Sequence, residues 1–224
     1  MSKLARVLPS LAVHYDRHRF VALFAVLALA IAGHGLLGSL LRVANPLDLL
    51  LGISLVAVVF SARRGGIRWL LGGLVVGCVA ARLTQGLVEH PAPLFVTQSL
   101  LAVACVLAAG VALERGLASG PVDAEHICAA LDAYLLVGIA FGAGYWLLES
   151  AQPGSFSSVS ADGFSPPRAV YFSFVTQATL GFGDIVPLRE PAQGLVVAQG
   201  IGGQMYLAVL IARLVSLYSA QETP

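Results

Sequence analysis

Thr179-Leu180-Gly181-Phe182-Gly183-Asp184 is the stretch on which the reading of this chain turns. Glycines two residues apart permit backbone angles that other residues avoid. Just before it, Ala169–Ala178 (AVYFSFVTQA) is apolar but amounts to only two to three turns at about 3.6 residues per turn, too short to cross a membrane. Its start carries helix signals, with Ser165 as N-cap and Pro166 at the first helical position, so a short helix is predicted over 166–178. Further upstream, Glu149–Arg168 (ESAQPGSFSSVSADGFSPPR) is polar and rich in serine and glycine. Full-length apolar runs lie on both outer sides, Ile127–Leu148 and Gly194–Tyr218. A short helix and an extended glycine segment held between two spans describe a re-entrant loop. Irregular backbone at that depth survives only buried in protein or facing water.

The rest of the chain agrees that lipid is the solvent. Of 224 residues, 58% are hydrophobic and 11% charged, against about 25% charged in a soluble domain. Twelve acids and 13 bases cannot cover a globule of this length, and so much apolar side chain excludes disorder. A net charge of +1, with the bases scattered singly or in pairs, excludes a nucleic-acid partner. Cys78, Cys105 and Cys128 lie inside apolar runs and read as small buried hydrophobes rather than a disulfide framework.

A helical span needs about 20 mostly apolar residues, and six runs approach this: Phe20–Leu41, Pro46–Phe60, Ile67–Gln85, Pro93–Leu113, Ile127–Leu148 and Gly194–Tyr218. The fold class is therefore an all-α integral membrane protein, with six transmembrane helices and the re-entrant helix and glycine segment between the last two. The polar linker Glu114–Glu125 divides it into a four-helix region, 1–118, and a second region, 119–224, with an outer helix over 126–148 and an inner helix over 194–218. Lys3, Arg6, Arg17, Arg19, Arg63, Arg64, Arg68, Arg115 and Arg213 fall on one side of the membrane, and only Arg42, Arg82, Arg168 and Arg189 on the other. The basic side is cytoplasmic, which puts both termini inside. A rival reading, cleavage of the first run at Ala30-Ile31-Ala32, is disfavoured because that run exceeds the usual signal-peptide core.

TLGFGD closely resembles the selectivity filter of tetrameric potassium channels, whose usual form is Thr-Val-Gly-Tyr-Gly-Asp. The plan of outer helix, pore helix, filter and inner helix resembles that family from Ile127 to Tyr218. The resemblance implies a passive potassium channel, not an enzyme, working as a homotetramer in lipid, with no cofactor besides the permeant K+. It implies that K+ is held by the carbonyls of Thr179, Leu180, Gly181 and Phe182 and by the Thr179 hydroxyl. Gly181 and Gly183 turn the carbonyls toward one axis, and the C-terminal carbonyls of the pore helix face the cavity. Asp184 is then either a brace behind the filter or a solvated carboxylate at its mouth. Bacterial inner membrane is the location the resemblance suggests. Phe182 in place of tyrosine, Ala178 in place of a second threonine, and Tyr171-Phe172 where paired tryptophans are common keep a weakly selective cation channel open as the alternative. A secondary transporter would want two matching broken helices, and one interruption is visible.

On the inner helix, Gly203 falls 20 residues beyond Gly183, as a hinge or as a packing notch. Leu207, Leu210 and Leu214 share its face and would form a constriction able to gate by dewetting. Two ionisable groups lie inside spans, Asp132 and Arg213; they either pair or Arg213 snorkels to the interface. Glu149 and Glu190 read as outer-vestibule charges. Gly73 with Gly77, and Gly138 with Gly142, are small-xxx-small packing pairs. His34 and His90 are too isolated to ligate a metal.

Pro93–Leu113 contains no basic residue, so no arginine-ladder voltage sensor is present there. Conductance measured against membrane potential is expected to change only gradually. Steep activation carrying several gating charges, each about 2.3 kcal/mol per 100 mV, would refute this.

Overall fold

The computed structural model describes residues 19–31, 65–85, 92–118, 123–158 and 163–221. These form α1 (Arg19–Ile31), α2 (Gly65–Gln85), α3 (Ala92–Gly116), α4 (Ala124–Ala151), β1 (Phe156–Ser158), α5 (Pro166–Gln177), β2 (Ile185–Pro187) and α6 (Glu190–Gln221). Among the described residues, Leu94–Gly116, Ala124–Ala151 and Glu190–Ser216 are long and apolar enough to cross a membrane. Arg19–Ile31 and Trp69–Ala81 are shorter apolar helices. The expected run Pro46–Phe60, and the end of Phe20–Leu41, lie outside the described residues.

By compactness the chain divides into one unit of Met1–Gly72 with Gly110–Ala133, and another of Gly73–Ala109 with Tyr134–Pro224. These divisions fall within α2, α3 and α4.

In the first unit, Glu125 begins α4 and also serves α1. Its carboxylate accepts the Phe20 N–H at 3.2 and 3.3 Å and the Val21 N–H at 3.4 Å. First-turn N–H groups lack partners within their own helix and carry the positive end of its dipole, so a buried carboxylate there is stabilised twice over. Asp123 caps α4 through the His126 N–H at 3.0 Å and meets the His126 ring at 2.6 Å. Burial works against ionisation of Asp123, but the two His126 bonds, with the charges of His126 and Arg115, hold its carboxyl below the usual range. Gly116 lets α3 close on α4, since a Cβ there would stand 2.9 Å from the Ala130 nitrogen. Asp132 is fully buried, and neither of its carboxylate oxygens has a hydrogen-bond partner among the described residues. Asp132 lies in the first unit and Arg213 in the second.

The second unit is built on close approach of α5 to α4. A Cβ on Gly138 would lie 2.5 Å from the Phe174 ring, and one on Gly142 would lie 2.7 Å from the Val170 Cα. This pair is the packing device its spacing suggested. Gly77 meets Leu100 in the same way, at 3.2 Å, whereas Gly73 faces open space. At one end of this unit Tyr145, Phe156, Phe172, Ile185, Ala169 and Ala192 form a buried cluster. Phe156 stacks on Phe164 at 4.7 Å and meets Tyr145 edge-on at 5.3 Å.

β1 and β2 form an antiparallel pair that the all-helical reading did not anticipate, in the register Phe156↔Pro187, Ser157↔Val186 and Ser158↔Ile185. Three residues on each side are too few for a period-2 signal to show. Glu149 is also more than a vestibule charge. Its carboxylate accepts the N–H groups of Gly154 at 2.8 Å and Phe156 at 2.9 Å, folding the chain back onto the end of α4. Arg189 completes the corner by donating to the Pro153 carbonyl at 2.9 Å.

Gly142→Ala is expected to cost about 1–3 kcal/mol by overpacking, read as a lower unfolding temperature in detergent. Gly144→Ala, where nothing lies within 4 Å, is the control and should cost nothing.

Candidate functional site

α5 delivers the glycine segment. Ser165 is its N-cap in extended geometry (φ −83°, ψ 162°) with prolines in the first turn, although the serine side chain makes no capping bond. The helix buries Ala169, Val170, Phe172, Ser173, Val175 and Gln177, and so is fixed along its length.

It ends one residue before the expected boundary, with Ala178 as C-cap. The Thr179 N–H donates to the Thr176 carbonyl at 3.0 Å, and the Leu180 N–H to the Val175 carbonyl at 2.9 Å. Thr179 itself has φ +57°. These are the two bonds and the left-handed residue of a Schellman closure, in which glycine normally occupies the left-handed place. The first residue of the candidate filter is therefore the stop signal of the helix before it. A β-branched residue in that conformation is strained, by about 1–2 kcal/mol. The strain is evidence that the threonine side chain serves something other than the turn.

Positive φ recurs at Gly181 (+57°) and Gly183 (+77°), and at no residue between them. In an ordinary strand successive carbonyls alternate sides. Reversing the handedness at every second residue undoes that alternation and brings them toward one side. No atom lies within 4 Å of a Cβ built on either glycine, so backbone conformation, not space, demands glycine here. Residues 179–183 are all exposed, Leu180 at 57% and Phe182 at 64%.

Asp184 is half-buried and lies close enough to the Tyr171 hydroxyl to interact with it electrostatically. Phe182 cannot supply a phenol, but α5 supplies one in the opposite direction, from helix to loop.

α6 runs unbroken through Gly194, Gly200, Gly202 and Gly203. A Cβ on Gly203 would meet the Gln177 side chain at 2.9 Å and its carbonyl oxygen at 3.0 Å, which favours the packing notch over the hinge. Leu207, Leu210 and Leu214 follow Gly203 at helical spacing and are half-buried. The open face of α6 carries Val197, Ile201, Met205 and Val209, each 58–63% exposed. The expected leucine constriction thus sits on the less open face. Arg213 is half-buried.

Sequence reasoning missed a set of polar side chains behind the filter: Tyr134, Tyr145, Ser173, Gln177 and Gln199. The last four are at most 1–2% exposed. Glutamines inside otherwise apolar helices were the available signal, since polar groups at that depth need partners. No group of three or more His, Cys, Asp or Glu able to hold a metal occurs among the described residues.

Residues 133–220 match the family model described as an ion channel. Two pore potassium channel c of Oryza sativa subsp. japonica is 31% identical over 96 residues, which is 43% of this chain and 20% of that relative's length. No solved structure matches. Residues 133–220 are thus similar to an ion-channel domain, and the chain spans about a fifth of the length of the potassium channel that it matches.

Thr179→Gly should relieve the left-handed strain and raise stability by about 1 kcal/mol, seen in thermal unfolding.

Proposed function

We propose that this protein is a potassium channel that conducts K+ passively through a homotetrameric pore, lined by the Thr179–Gly183 loop of each chain. The observation that carries this reading is the repeated left-handed backbone at Thr179, Gly181 and Gly183 in an otherwise exposed loop. A dehydrated K+ needs a cage of oxygens, and backbone carbonyls turned to one side supply a quarter of each ring. Four copies are required to close it, and the exposure of the loop and of the Val197–Val209 face leaves apolar surface for neighbours. The Oryza sativa relative is named as a potassium channel.

The remaining parts of the reading follow from the sequence. Six spans carry the chain, the α5–filter segment enters and leaves on the outer side, both termini are cytoplasmic, and there is no arginine-ladder voltage sensor. The bond from the start of α1 to Glu125 supports this topology, because it sets Arg19 and the start of α4 at one membrane face. Asp184, beside Tyr171, fixes the outer end of the filter. The membrane is a plasma membrane, of bacterial inner-membrane type.

The test is reversal potential in planar bilayers with K+ on one side and Na+ on the other. A reversal far toward the K+ equilibrium value is expected. Reversal near zero would leave the weakly selective cation channel, and a lack of unitary currents would favour a transporter.

A further inference from the structure

Three helices of the second unit meet at a closed set of buried side-chain bonds directly behind the first filter residue. The Tyr145 hydroxyl of α4 donates to Gln199 Oε1 at 2.5 Å. The Gln199 amide of α6 donates to Ser173 Oγ at 2.7 Å, to the Ser173 carbonyl at 3.2 Å and to Gln177 Oε1 at 2.9 Å. The Gln177 amide in turn donates to the Tyr134 carbonyl at 2.8 Å, while Ser173 Oγ donates to the Gly138 carbonyl at 2.6 Å. The Gln177 carbonyl, two residues before Thr179, accepts from the Tyr134 hydroxyl at 3.2 Å and the Gln204 amide at 3.3 Å.

Stability alone does not call for this arrangement. An apolar contact of similar shape would pack α6 on α5 without the demand that every buried donor and acceptor be matched. What the bonds add is direction. Gln177 is the last residue of α5, and Thr179 takes its strained conformation from the closure of that helix. The Val175 and Thr176 carbonyls are held by the closure, and the Gln177 carbonyl by α4 and α6. The end of α5 therefore cannot rotate without breaking bonds to both neighbours.

We infer that Gln177 and Gln199 are positioning residues for ion discrimination: the bond between them fixes the end of α5 and through it the ring of oxygens at Thr179. This rests on the channel reading above. Neither side chain touches the ion. Each acts by restricting how far the Thr179 carbonyl and hydroxyl can move, and a looser ring tolerates Na+ as well as K+.

The experiment measures the K+/Na+ permeability ratio from bi-ionic reversal potentials, alongside thermal unfolding in detergent, for the full chain and for Gln177→Leu, Gln199→Leu, the double variant and Tyr145→Phe. Each glutamine variant should lower the ratio by roughly tenfold, the factor equivalent to about 1.4 kcal/mol. The double variant should discriminate no worse than either single one, because the two act through one bond. Tyr145→Phe removes only the hydroxyl that orients Gln199 and keeps the ring in its aromatic cluster, so it tests the inference even where a leucine variant fails to fold. A fall in its ratio, reversed by no gain in thermal stability, supports the inference. Unfolding temperatures that drop while the ratio holds would reduce the glutamines to structural residues and overturn it. A wild-type ratio near one would overturn the potassium-channel reading itself, and this inference with it.

Discussion

A helix that stops among apolar neighbours leaves its last carbonyls without partners, and at the end of α5 every such group has to be matched. The chain does this with its own backbone first. Thr179 turns left-handed and the N–H groups of Thr179 and Leu180 close on Thr176 and Val175. Side chains of α4 and α6 take up the carbonyl of Gln177. This satisfaction of buried backbone decides where the filter begins, which way its first residue faces, and which surfaces of α4 and α6 must be small or polar. Gly138 and Gly142 make room for the helix, and Gly203 makes room for its final residue.

Much of this was legible beforehand. The Gly181/Gly183 spacing, the proline-rich helix start and the apolar flanks were enough to place a short helix and a non-repetitive loop between two spans, because each rests on local backbone chemistry. The outer and inner helices emerged close to their expected limits, since length in an apolar run is a strong constraint. The losses were all tertiary. Nothing near Glu149 in sequence says that it will gather two N–H groups from a following turn.

The inner helix shows the same limit. Helical spacing grouped Gly203 with Leu207, Leu210 and Leu214, but spacing has no origin. Which face meets α5 was settled by Gln177 seated against Gly203, and the opposite face was thereby left open. The buried amides were visible as letters in the sequence, yet their mutual bonding depends on three helices arriving at one depth.

The β1–β2 ladder has a mechanical meaning. Ile185, which leaves the filter, is bonded across to the strand that precedes α5. The segment from Gly163 to Ile185 is thus tied at its far end to the strand that precedes it. A segment so tied has already surrendered most of its end-to-end freedom, and each further bond along it restrains a shorter free span. Fluctuations of the glycine segment are confined between the strand tie at one foot and the helix stop at the other.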